Sequence, residues 1–271
     1  MKMIIQKIIG KLLVTLLVAV ILIGLLVIAS VLTSCSKDSN NDGMLDGDKL
    51  LLTESKVDGK LRARYDYDAR NRLVKLFTHN DVGTLQTTIT YIYDNNSHLT
   101  WMEMVNSDGE IEYNEAYTYE NGNRPVSSKT VFGQDIENAI ITTYTYAENK
   151  VVETANIPGG YTSEITYTTD DKGNLLSIET SSQGQWASTT LFGDYDNKHA
   201  AGRIGNPYNW KFNSPNNHQS EKTTASYDAG NRDRILKYTY NDDGYPTKME
   251  IYNREDNALV ETHTYSYKAA N

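Results

Sequence analysis

The chain is expected to be all-β: an antiparallel meander of about seven Tyr-rich hairpins forming one large curled or flattened sheet, interrupted by a long irregular insertion. Three observations lead there. A unit of Tyr-x-Tyr, a polar turn and then Leu or Pro recurs every 23 to 27 residues apart from one step of 71, a supersecondary period. Within each unit, apolar and polar residues alternate with period two, the signature of a strand with one dry and one wet face. After residue 56, no stretch shows helical periodicity.

Taken in order, residues 1–35 read as a secretory leader. Lys2, Lys7 and Lys11 precede an uncharged run from Leu12 to Leu32, which ends in Leu32-Thr33-Ser34-Cys35. That order resembles a bacterial lipoprotein signal, in which a small residue precedes a Cys that is acylated and becomes the new N-terminus. The resemblance makes Cys35, the chain's one cysteine, a lipidation site and membrane lipid a partner. Ser36, rather than Asp, then implies the outer membrane. The run Lys37-Asp38-Ser39-Asn40-Asn41-Asp42 is similar to the export tag of surface lipoproteins in Bacteroides-like bacteria. The apolar run also exceeds an ordinary signal core and is long enough to span a bilayer uncleaved. Either way, residues after 35 are exported.

Residues 36–55 are polar and suit a flexible tether. Asp38 to Gly43 opens like a calcium loop, but the twelfth position is Lys49, where such a site needs a bidentate carboxylate. Cleavage after Ser34 would remove three lysines and no acidic residue, leaving 23 basic against 35 acidic side chains. Such a surface does not suit nucleic acid. With Cys35 given to lipid, no disulfide is available.

The β domain is expected over 56–271. Tyr65/Tyr67, Tyr91/Tyr93, Tyr117/Tyr119, Tyr144/Tyr146, Tyr238/Tyr240 and Tyr265/Tyr267 carry the unit in full, and Tyr167/Thr169 is a degenerate copy. Asp68 to Asn71, Asp94 to Asn96, Glu120 to Asn123, Asp170 to Gly173 and Asn241 to Gly244 are turn sequences whose Asn and Gly tolerate positive φ. Twenty Tyr against four Phe is an unusual core. A buried phenol needs a partner for its hydroxyl, so the Tyr face is either a narrow, polar-edged core or the lining of a groove. Fourteen strands closed into a round barrel would be too wide for side chains to fill, so the sheet is expected to flatten, curl or be plugged.

Residues 183–223 break the period and hold Trp186 and Trp210. This insertion either folds over the sheet and completes the core, or it forms a ligand site. In the second case Trp186, Tyr208 and Trp210 would stack on a ligand, with Asn206 and Asn209 offering hydrogen bonds.

Arg64-Tyr65-Asp66-Tyr67-Asp68-Ala69-Arg70-Asn71-Arg72-Leu73, with Asp58-Gly59 upstream, resembles the YD repeat of Rhs-type proteins. Asn241 to Lys248, Asp194 to Lys198 and Asn206-Pro207 are similar to YD-repeat-like lipoproteins of Bacteroides, a family of unknown function. The resemblance implies a β fold and an envelope location but no catalytic residues.

No cofactor or metal site is expected. The histidines lack ligand spacing, and G-x-S-x-G, H-E-x-x-H and P-loop motifs are absent. The chain therefore reads as a non-enzymatic binding or interaction module, anchored and surface-exposed at the outer membrane, with a glycan or an envelope protein as partner. The alternatives are an accessory scaffold subunit and, further off, a glycan hydrolase.

Overall fold

The computed structural model describes residues 49–120, 122–227 and 230–271, so the leader, Cys35 and residues 36–48 lie outside what it describes. Its strands are β1 (Leu50–Val57), β2 (Lys60–Tyr67), β3 (Leu73–His79), β4 (Leu85–Tyr93), β5 (Leu99–Asn106), β6 (Ile111–Thr118), β7 (Ser127–Phe132) and β8 (Ile140–Ala147). They continue as β9 (Lys150–Ile157), β10 (Tyr161–Thr169), β11 (Leu175–Ser182), β12 (Gln185–Gly193), β13 (Ser220–Ala225), β14 (Arg232–Tyr240), β15 (Pro246–Asn253) and β16 (Leu259–Ala269). Each strand pairs antiparallel with its neighbour in sequence, and β16 pairs back onto β1, from Leu50 opposite Ala269 to Val57 opposite His263.

This closure overturns the expected curled or flattened open sheet. Two strands at the ends of the stretch read as irregular, β12 and β13, form an eighth pair, and β1 begins inside the expected tether. The first and last strands then meet, which removes both unpaired edges. The width problem is real, because sixteen strands make a barrel of the size that leaves an aqueous channel. Residues 194–219, the connection between β12 and β13, enter one end and fill it.

The turns explain why the hairpins are so regular. Asp68, Asn80, Asp94, Asn106 and Asp170 each accept, at Oδ1, the backbone N–H groups two and four residues further on. The fourth residue of each turn takes positive φ, 61° at Asn71 and 89° at Gly173, which Asn and Gly accept at little cost.

The repeated tyrosines divide into two roles. Tyr65, Tyr91, Tyr117, Tyr144 and Tyr167, the first of each pair, point inward and are buried. The second caps the preceding hairpin: Tyr93, Tyr119 and Tyr146 donate to the carbonyls of Leu73, Leu99 and Pro125 at 2.9, 3.1 and 2.7 Å. Tyr267 donates likewise to Pro246 at 2.8 Å, and Tyr195 to Leu175. The Leu or Pro of the repeat is thus the residue whose carbonyl receives the next unit's hydroxyl. Burial pushes these phenol pKa values well up, with desolvation as the leading cause at Tyr93, Tyr119 and Tyr146, so they stay protonated as donors. Tyr119→Phe and Tyr146→Phe should each cost about 1–2 kcal/mol in urea unfolding by stranding a carbonyl. Tyr227→Phe, at a site 65% exposed, should cost nothing measurable.

The outer wall is polar. By register with buried partners, Arg64, Asp66, Lys75, Glu103, Glu164, Glu179, Lys222, Lys237 and Glu250 all face outward. A bilayer-spanning barrel needs an apolar outer band, and an Arg or Lys at the bilayer midplane costs about 2–4 kcal/mol. Ile92, Ile141 and Leu191 face outward as well, 51%, 41% and 50% exposed, but the charged positions between them interrupt any continuous apolar band.

Candidate functional site

The plugged end is held by specific contacts. Tyr208 sets its ring edge-on to Tyr91 at 6.1 Å, Trp210 to Tyr117 at 5.4 Å, and Phe212 lies tilted on Tyr167 at 5.3 Å. The three aromatics reach β4, β6 and β10, because a turn from Tyr208 to Lys211 prevents the extended arrangement that would project them to one side. Lys211 Nζ meets Glu153 Oε1 at 2.6 Å, with both side chains nearly buried. Burial pushes the Glu153 carboxyl up, while the Lys211 ammonium opposes that shift. Asp196 ties the base of the plug by accepting Asn217 N–H at 3.0 Å and the Tyr240 hydroxyl. A Cβ on Gly205 would stand 2.7 Å from the Asn71 carbonyl, so the plug packs against the β2–β3 turn where only glycine fits. Burial pushes His218 down to about 4, leaving a neutral ring between Phe192 and Tyr195.

The opposite end is different. Register through the buried tyrosine layer places Thr78, Met104, Tyr113, Phe132, Ser163 and Ser188 inside, yet each is only partly buried, so this end is filled less tightly than the plugged one. A belt of cross-strand hydroxyl pairs lines the wall from this end inward: Thr78 with Thr87 at 2.6 Å, Thr180 with Ser188 at 2.7 Å, and Thr190 with Thr223 at 3.0 Å. Below the belt, Tyr117 donates to Glu115 Oε2 at 2.6 Å and Ser128 to Oε1 at 2.5 Å. Small hydroxyl residues on a wide wall leave room, and the barrel becomes a cup with a tyrosine floor and an open mouth.

One sector of the mouth is charged. Leu236 is buried in the core, so Arg234 and Arg232, two and four residues earlier on β14, share its inward face. Glu261 of β16 lies near them, and its carboxyl is held below the usual range, first by a hydrogen bond from His263 and then by charge from His263, Arg234 and Arg62. Nothing in composition singles these residues out. The available signal was parity, since Arg232 and Arg234 are charges on what is otherwise the Tyr face of their strand.

The five residues expected to bind a ligand do not form one site. Asn206 and Trp210 are buried in the plug, where Asn206 Nδ2 donates to the Phe212 carbonyl at 3.3 Å. Tyr208 is half buried beside them, and Asn209 is exposed on the same segment. Trp186 starts β12 at the open end, with its indole N–H donating to the outward Thr189 at 2.9 Å. Among the described residues, no group of three His, Cys, Asp or Glu could hold a metal ion.

No protein-family description matches the chain, and no curated protein matches it. Solved structures do. A porin-like protein from Bacteroides vulgatus is 12% identical, with a TM-score of 0.51, over 82% of this chain and 99% of that one. A porin-like protein from Bacteroides uniformis is 16% identical, with a TM-score of 0.50, over 81% and 97%. What is shared is a closed β-barrel fold. That likeness and the β1–β16 pairing overturn the YD-repeat assignment: the Tyr-x-Tyr periodicity belongs to the wall of a barrel that closes within this one chain.

Proposed function

We propose that the chain is a non-enzymatic envelope protein, anchored to the outer membrane through an acylated Cys35, whose barrel stands in water and binds a glycan in its open cup. The observation that carries the reading is the inward yet solvent-reached wall of hydroxyls and aromatic rings above a sealed floor. Hydroxyls both donate and accept, as a sugar's own do, and Tyr113 with Phe132, 5.9 Å apart, adds aromatic surface. The leader and Cys35 support export and anchoring. The porin-like neighbours support an outer-membrane setting, while the polar outer wall favours a barrel beside the bilayer over one within it.

The test pairs two measurements on the full chain. A fatty-acid label should enter the protein and vanish in Cys35→Ser, which should leave the membrane fraction. Calorimetry against an oligosaccharide panel should find a ligand whose affinity falls at least about tenfold in Tyr113→Ala, the loss of roughly 1.4 kcal/mol of contact. A chain that binds no member of the panel, or a Tyr113→Ala protein that binds like the parent, would rule out the cup as the site.

A further inference from the structure

We infer that the β14 wall of the cup is an anion subsite, in which Arg232 and Arg234 take a carboxylate or sulfate group of an acidic oligosaccharide. This rests on the cup being the binding site and adds the charge class of its ligand. Three features lead to it.

Both arginines face inward in register with buried Leu236, while Asp233 between them faces out and pairs with Arg254 at 2.7 Å. The outward partner is taken by another residue, and the inward pair is left to the cup. Arg232 Nε is buried with no hydrogen-bond partner, and its cross-strand neighbour is the uncharged Thr223. Arg234 stands between Glu221 of β13 and Asn253 of β15, and among the described residues neither arginine forms an ion pair. Two carboxylates lie nearby, Glu261, which His263 engages at 3.2 Å and which also feels the charge of Arg234, and Glu221, opposite Arg234 on β13, but among the described residues neither forms an ion pair with Arg232 or Arg234.

Half-buried guanidinium donors without acceptors are costly unless a ligand supplies the oxygens. The planar fork of arginine matches the two oxygens of a carboxylate or sulfate, and two such forks two residues apart on one strand present a concentrated site. The chain as a whole carries a net negative charge, so an anion would be drawn to this wall by the local arginine pair rather than by the protein's overall field.

The experiment uses the full chain in detergent and oligosaccharides of equal length that are neutral, uronate-bearing or sulfated. An acidic member should bind at least about tenfold more tightly than the neutral one, and added salt should narrow the gap. Arg232→Gln and Arg234→Gln should each erase most of that preference, bringing the affinity for the acidic chain down toward that for the neutral one. Arg64→Gln, on the outer wall, should do nothing. Arg234→Lys keeps the charge but loses the fork, so it should lose nearly as much as the Gln variant, and it decides the matter if the Gln variant fails to melt cooperatively. The uronate and sulfate arms identify which anion the site takes. Equal binding of neutral and acidic chains, or Gln and Lys variants that bind the acidic chain like the parent, overturns the anion subsite and leaves the cup standing. Failure of every oligosaccharide to bind overturns both.

Discussion

Lys211→Met is expected to destabilise the protein by about 3–5 kcal/mol at neutral pH, because it leaves the Glu153 carboxylate buried without its counter-ion. The pair is 2.6 Å apart, its side chains are 12% and 8% exposed, and it joins the plug to the wall. Lys211 also lies 5.2 Å from the Tyr208 ring, so the ammonium is held by aromatic faces as well as by charge. Glu153→Gln alone should cost a similar amount by stranding the ammonium. The double variant Glu153→Gln with Lys211→Met should recover most of the loss, since a buried pair replaced as a unit is often near neutral.

The pH dependence has a definite sign. Without Lys211 the folded pKa of Glu153, already raised by burial, rises further above the unfolded value of about 4.3. Between those two values the native state binds the extra proton, so the stability of Lys211→Met falls as pH rises through the window. Its defect should be small below about pH 4 and grow as pH rises toward neutrality. Urea titrations followed by tryptophan fluorescence at both pH values check this, and a defect that does not change with pH would mean that Glu153 is not the stranded group.

What the sequence made legible was local. The Asx turns follow from Asp or Asn at the first position and a residue tolerant of positive φ at the fourth, a pattern contained within five residues. The Tyr-x-Tyr faces follow from parity, and parity survives until a bulge interrupts it, as it does at Arg62 in β2. Closure was not legible, because it depends on Val57 meeting His263 across more than two hundred residues, and no local preference records that pairing. The count of hairpins failed for a related reason. β12 and β13 lack the Tyr-x-Tyr mark, and the 194–219 segment separates them, so a hairpin with a long internal loop looked like irregular chain. The same parity that placed the tyrosines inside also places Arg232 and Arg234 inside, yet charge at a core position is weak evidence until the wall is known to open onto water. Trp186 and Trp210 share the stretch 183–223 in sequence, whereas β12 and the plug carry the two rings to different ends of the barrel.

Trp210→Ala is expected to cost about 3–5 kcal/mol, a large part of the 5–15 kcal/mol that ordinarily holds a domain together. Trp210 is 6% exposed and meets Tyr117 and Tyr208 edge-on at 5.4 and 5.6 Å. Such aromatic pairs add about 0.5–1.5 kcal/mol beyond simple burial. The cavity left by its removal has little freedom to collapse, because a closed ring of hydrogen-bonded strands fixes the wall on one side and the Lys211–Glu153 pair pins the plug next to it. Trp210→Phe separates packing from polarity. The indole N–H is buried without a partner, so the phenyl ring keeps most of the contact and removes an unsatisfied donor, and the cost should fall to about 1–2 kcal/mol. The two variants also distinguish the plug from a binding site. If Trp210 serves the floor of the cup, Trp210→Phe should bind an oligosaccharide like the parent at temperatures below its melting midpoint, and loss of binding in Trp210→Ala should track unfolding. A Trp210→Ala protein that melts within about 1 kcal/mol of the parent would mean that the barrel stands without its plug, and the sealed floor on which the cup depends would have to be abandoned.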